Sequence, residues 1–170
     1  MPILRSKFWL VRLRPVSNVF VMMTAILALL GCQEQTECPG ITADFDQIFA
    51  EQYAKPFREG DAETWAQLFA TDAMGLHNRR EADLGQDAIR AFGQLVASTF
   101  RLGRYDVALD ETRRFCDWAV SRGSYQSEFI FRETNAPAPW GPQAGKFLIV
   151  WTLDEDQNWR VLVDMGNSNQ

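Results

Sequence analysis

Apolar positions recur every three or four residues from Asp44 to Phe100, then every second residue from about Tyr105 to Met165, so the chain changes period near its middle. Phe45, Ile48, Phe49 and Tyr53 share one face of a first helix, with Asp44 as N-cap and Gln47 three residues on, a capping-box spacing. Pro56 has no amide proton and crowds the turn before it, so it is expected to stop or kink this helix. Asp61 caps a second helix with Trp65, Leu68 and Phe69 on one stripe, predicted to close near Thr71 and Asp72. Ala73 to His77 reads as a short strand, and Asn78 to Asp83 as a charged, solvated loop. A third helix starts after Gly85 and aligns Ile89, Phe92, Val96 and Phe100. Gly93 inside it costs roughly 1 kcal/mol relative to alanine.

The second half predicts four strands: about 105–115, about 118–132, one in Lys146–Glu155 and one in Asn158–Gly166. A Pro- and Gly-rich loop, Asn135 to Gly145, and an acidic turn, Asp154 to Asn158, join the later ones. Helices first and antiparallel strands after them make an α+β domain. In Lys146–Leu153 both alternation sets are apolar: Phe147, Ile149, Trp151 and Leu153 on one side, Leu148 and Val150 on the other. A sheet with one wet face alternates more cleanly. Both faces are therefore expected to be covered, one by the helices and the other by a second copy of the chain or by the Pro-rich loop folding back.

Ahead of the domain, residues 1–31 hold Arg5, Lys7, Arg12 and Arg14 and no acid. Val16 to Leu30 is mostly apolar but shorter than the roughly 20 residues that cross a bilayer. It has the length of a signal-peptide core. It ends in Leu29-Leu30-Gly31-Cys32, which resembles the lipobox of bacterial lipoproteins. That resemblance implies cleavage before Cys32 and a lipid on its sulfur. With Gln33 rather than Asp behind the cysteine, it also implies an outer-membrane address facing the periplasm. A buried apolar helix with an incidental cysteine is the plainer alternative. Residues 32–43 read as a tether and 44–168 as the folded domain.

Net charge is −5, and loss of the basic leader takes it to −9, so no basic stripe is left to neutralise nucleic-acid phosphates. A lipid must then do the work of holding the domain to a membrane. Cys38 and Cys116 can form a bridge in an oxidising envelope or remain two thiols. One histidine and scattered cysteines lack any metal-ligand spacing, so no metal and no cofactor is expected.

Three stretches in order, Gly60-Asp61-Ala62, Gly85 to Phe92 and Trp159 to Ser168, resemble the NTF2-like superfamily and within it the SnoaL-like group, also labelled DUF4440. The likeness runs from about Asp44 to Ser168. It implies a cone in which three N-terminal helices pack on a curved antiparallel sheet around an apolar pocket, and a homodimer through the outer sheet face. It also leaves function open, since the superfamily includes isomerases, cyclases, dehydratases, epoxide hydrolases and non-catalytic members.

Within such a cone Asp164 is the leading candidate. It falls among apolar residues on the last strand, where a carboxylate is costly unless paired or functional. Burial would raise its pKa toward that of a working base. His77 ends the strand after the second helix and can serve as acid or base, or sit idle at the rim beside Asn78 and Arg79. Tyr53, Trp118, Tyr125 and Trp151 are candidates to line the pocket, with plain core packing as the alternative for each. Departures count against some enzymatic relatives: the two-histidine dehydratase pattern is missing, and an Asp-Arg-Asp trio cannot be placed. Three readings follow. They are a lipid-anchored binder of a small apolar or aromatic molecule, a proton-transfer enzyme using Asp164 with or without His77, and a non-catalytic dimeric module.

Overall fold

A computed structural model describes residues 43–133 and 140–169, the side chains of 140 and 141 excepted. The first helical run is α1 (Phe45–Ile48), a π-helical turn (Phe49–Ala54) and α2 (Lys55–Glu59), without a break. Asp44 caps it as expected, its carboxylate accepting from the Gln47 amide at 3.0 Å. Pro56 does not stop it. The Lys55 amide reaches back five residues to the Ala50 carbonyl, a wide turn that admits the proline ring where an α-turn would clash. The run ends four residues later at Gly60, whose φ of 75° is left-handed. There the Gly60 amide bonds Phe57 O at 3.2 Å and the Asp61 amide bonds Pro56 O at 2.9 Å, a Schellman closure.

Asp61 caps α3 (Ala62–Gln67) by accepting from the Thr64 amide at 3.0 Å. This helix is shorter than its apolar spacing predicts. Leu68 gives its carbonyl to the Val161 amide at 2.9 Å, and Phe69 through Leu76 form β1 instead of another helical turn. β2 (Asp83–Leu84) pairs back antiparallel on β1, so the stretch expected to be a solvated loop ends as an edge strand. Then come α4 (Gln86–Thr99), β3 (Phe100–Phe115), β4 (Trp118–Phe131), β5 (Trp140–Leu153) and β6 (Trp159–Ser168). Phe100 opens β3 and does not extend the helical stripe. β5 begins inside the expected Pro-rich loop, with Gln143 in register with Ser127.

The sheet order is β2-β1-β6-β5-β4-β3. It is not wholly antiparallel: β1 runs parallel to β6, while the other neighbours are antiparallel. The register shifts in β1–β6, β3–β4, β4–β5 and β5–β6 are bulges or other irregularities, and bulges bend strands and curve a sheet. The helices fill the concave side. Phe45, Phe49, Trp65, Leu68, Phe69 and Ile89 meet Ala119, Ile149, Trp151, Trp159 and Val161 in one core. Gly93 earns its place here: a Cβ would stand 3.0 Å from the Trp65 ring and 3.1 Å from Ala62, so glycine lets α4 close on α3. On the opposite face Leu148, Val150 and Val163 are half-buried, and Met74, Leu84 and Met165 are exposed. Among the described residues no helix is long and apolar enough to cross a membrane.

Candidate functional site

One cross-strand row places the chemistry. Asp83 on β2 is in register with Gly75 on β1, Gly75 with Asp164 on β6, and Asp164 with Ile149 on β5. Residues in register share a face, so both carboxylates and the glycine between them look toward the helices. Asp164 is 3% exposed and accepts a 2.7 Å hydrogen bond from the Tyr53 hydroxyl, which the first helical run delivers from 111 positions away. The π turn that carries Tyr53 stacks its ring on Phe49, centroids 4.9 Å apart.

Burial raises the Asp164 pKa above the ordinary aspartate value. The positive charge available at His77 and the Tyr53 hydrogen bond pull the other way. Tyr53 is itself pushed well up, first by burial and then by the Asp164 charge. Tyr105 on β3 is raised by the same two causes, with Arg58 opposing. These three groups thus feel one another inside an aromatic shell of Phe57, Trp65 and Phe69.

His77 lies against the Phe92 ring of α4, centroids 4.3 Å apart at 23°, and Arg80 packs over the same ring at 4.4 Å. Asp83 is 8% exposed and takes an ion pair from Arg80 at 2.6 Å. Its second oxygen is 3.7 Å from His77 Nε2, too far for a hydrogen bond, and both of those buried atoms are without one. Gly75 makes this possible, since a Cβ there would stand 3.0 Å from His77 Nε2. Sequence reading singled out Asp164, His77 and Tyr53 but missed Asp83, Arg80 and Gly75. Asp83 was hidden in a charged run, although Asp83-Leu84 directly before Gly85 carries the alternation of a short strand.

The other expected pocket residues lie elsewhere. Trp151 is fully buried in the core, donating its indole N–H to Ser121 Oγ at 2.8 Å. Tyr125, half-buried, covers Gly145 and donates to Asn167 O at 3.3 Å, four residues along β4 from Ser121 and so away from Asp164. Trp118 is 50% exposed at the β3–β4 turn, on the face opposite Ala119 and Ser121, and lines no part of the interior. Among the described residues Phe45 packs on Trp151 and Phe49 stacks on Phe147 within the same core. Open space runs instead along a groove between the first helical run and β3. Two adjoining cavities of ≈ 820 and ≈ 570 Å³ there share Asp46 and Leu109 in their walls. Phe45, Phe49, Val107 and Leu109 line the groove together with Asp44, Asp46, Arg58 and Glu111, so its wall is mixed and more polar than apolar. Phe49 and Arg58 join the groove to the buried cluster, Phe49 by stacking on Tyr53 and Arg58 by donating to Tyr105 O at 3.3 Å.

Cys116, in the β3–β4 turn, is disulfide-bonded; Cys32 and Cys38 lie outside the described residues. Among the described residues no group of three His, Cys, Asp or Glu side chains is placed to hold a metal ion.

No family model and no curated protein sequence matches the chain. Solved structures do match. A ketosteroid isomerase-like protein from Erwinia carotovora atroseptica superposes with a TM-score of 0.63 at 17% identity, over 74% of this chain and 94% of that one. An NTF2-like superfamily protein from Salmonella enterica serovar Typhimurium gives 0.61 at 16% identity, over 74% and 89%. A domain of unknown function with a cystatin-like fold from Nostoc punctiforme gives 0.57 at 18%, over 76% and 80%. At such identities the likeness speaks for architecture alone, and the architecture is the NTF2-like, cystatin-like α+β fold.

Proposed function

We propose that this domain, of the SnoaL-like (DUF4440) kind, binds a small apolar or aromatic molecule bearing one polar group. In this reading the molecule lies along the groove between the first helical run and β3, and the Tyr53–Asp164 pair receives its polar end. The observation that carries the reading is adjacency: Phe49 lines the groove, and its ring stacks directly on Tyr53. Ligand sites are commonly apolar clefts with a few convergent polar groups of perturbed pKa. Anchoring by a lipid on Cys32 at the outer membrane, facing the periplasm, belongs to the same proposal. The lipobox-like Leu29 to Cys32 supports it, and so does the disulfide at Cys116, since such bonds persist in oxidising compartments. A second copy on the convex face is supported by the exposed Met74, Leu84 and Met165.

A second reading is an isomerase, cyclase or dehydratase using Asp164 with His77 in proton transfer. It draws support from a buried carboxyl raised in pKa beside an imidazole whose charge acts on it. Native mass spectrometry of the purified mature domain tests the binding reading. A co-purified molecule, or a neutral naphthylamine probe, is expected to bind and to be weakened at least tenfold by Tyr53→Phe. A domain that carries no adduct and takes up no probe would contradict it.

A further inference from the structure

The β3–β4 hairpin ends in a feature that neither the groove nor the polar cluster uses. Phe115 and Trp118 are direct cross-strand partners flanking the turn Cys116-Asp117, with ring centroids 5.9 Å apart. They are 51% and 50% exposed, a pair of large rings offered to the surroundings at a point. Exposed aromatic pairs of this kind are costly in water and favoured at the boundary between lipid headgroups and acyl chains, where rings sit at the interface.

Covalent connection says which boundary. Cys116 lies between the two in sequence and is disulfide-bonded, and the chain has only two other cysteines, Cys32 and Cys38. Under the anchoring proposed above, on which this inference rests, the Cys32 sulfur is taken by lipid and Cys38 is the remaining partner. Cys38 is six positions from Cys32, a reach of about 20 Å at full extension. On that reading a Cys38–Cys116 bond would keep the hairpin tip within this covalent reach of the lipidated cysteine.

We propose that Phe115 and Trp118 seat in the headgroup–acyl boundary of that bilayer, making the tip a second, non-covalent membrane contact. Asp117 at the turn and the chain's net negative charge argue for attraction through the rings and not through charge. The lipid supplies the attachment, and an apolar contact at the tip adds buried area at the interface and fixes orientation.

The test uses the full lipidated chain in phosphatidylcholine vesicles with brominated acyl chains, which quench tryptophans at the interface. The wild type should be quenched. Trp118→Phe, which keeps a ring in place and leaves four of the five tryptophans that follow Cys32, should retain less than about a third of that quenching. Phe115→Ser, with all tryptophans present, should reduce it as well. Equal quenching of wild type and Trp118→Phe overturns the proposal. The mass of the N-terminal peptide separates the two levels: unmodified Cys32 sinks the anchoring reading and this one together, whereas acylated Cys32 with equal quenching sinks this one alone. Shielding of Trp118 from acrylamide that grows with protein concentration, without lipid, would assign the tip to a second copy and also overturn it.

Discussion

The row that crosses the sheet has two halves, and they handle buried polarity in opposite ways. From Ile149 it continues to Ser121 and then Thr112. There every group is neutral: the Trp151 indole donates to Ser121 Oγ at 2.8 Å, and Thr112 Oγ1 meets the same oxygen at 2.7 Å. In the other half, Asp83 and Asp164 flank Gly75, His77 stands over it, and the facing atoms of His77 and Asp83 have no hydrogen bond. A closed neutral network rigidifies a core and asks for nothing further. Ionisable groups held out of water and only partly satisfied carry a standing energetic cost, which is how sites for ligands or protons are built. The first half reads as scaffold and the second as site.

Four perturbations can break or sharpen that contrast. The largest falls on the scaffold side: Trp151→Ala, at a fully buried position, should cost about 3–5 kcal/mol in urea unfolding. A loss below about 1 kcal/mol would mean that this half is not the rigid wall. Ser121→Ala leaves an indole N–H and a threonine hydroxyl without their shared partner, so a loss of about 1–3 kcal/mol is expected. That loss should be the same at pH 5 and pH 8, since nothing in this network titrates there.

Asp164→Asn should behave differently. Burial raises the folded-state pKa of Asp164, so between its ordinary value of about 3.9 and the raised one the native state binds more protons than the unfolded state. Stability from this group is therefore lost as pH rises through that window and regained as pH falls. Wild type should weaken relative to Asp164→Asn on going from pH 4 upward, as read by paired denaturation curves. A constant difference between the two would remove the charge cost from the account. The smallest effect belongs to Gly75→Ala. Its Cβ would press on His77 Nε2 at 3.0 Å, costing about 1 kcal/mol, the low end for overpacking, while shifting the His77 ring resonances. Unmoved resonances would show that the imidazole does not lie over the glycine.

Much of this architecture is legible in the chain because local signals decide it. Asp44 and Asp61 cap where their spacing says, and the change from helical to alternating period marks the sheet. What escapes sequence reading depends on partners far away. Phe69 looks helical beside Trp65 and Leu68, yet a pairing with Val161 wins it for β1. Trp118 looks like a pocket wall by type, but register turns it away from Ser121's face. Pro56 is misread for a subtler reason, since a π turn can absorb a proline that an α-turn cannot. For the site, Asp164 and Tyr53 each stand out by chemistry, while their bond spans 111 positions and has no local signature. Asp83 is invisible among charges until β2 folds it under α4.

The most direct test of the contrast is an NMR titration of the Asp164 carboxyl carbon in the folded domain. The account predicts a midpoint clearly above the ordinary aspartate value of about 3.9, moving higher still in Tyr53→Phe as the phenol's hydrogen bond is lost. A midpoint at or below that value, unmoved by the tyrosine change, would contradict it.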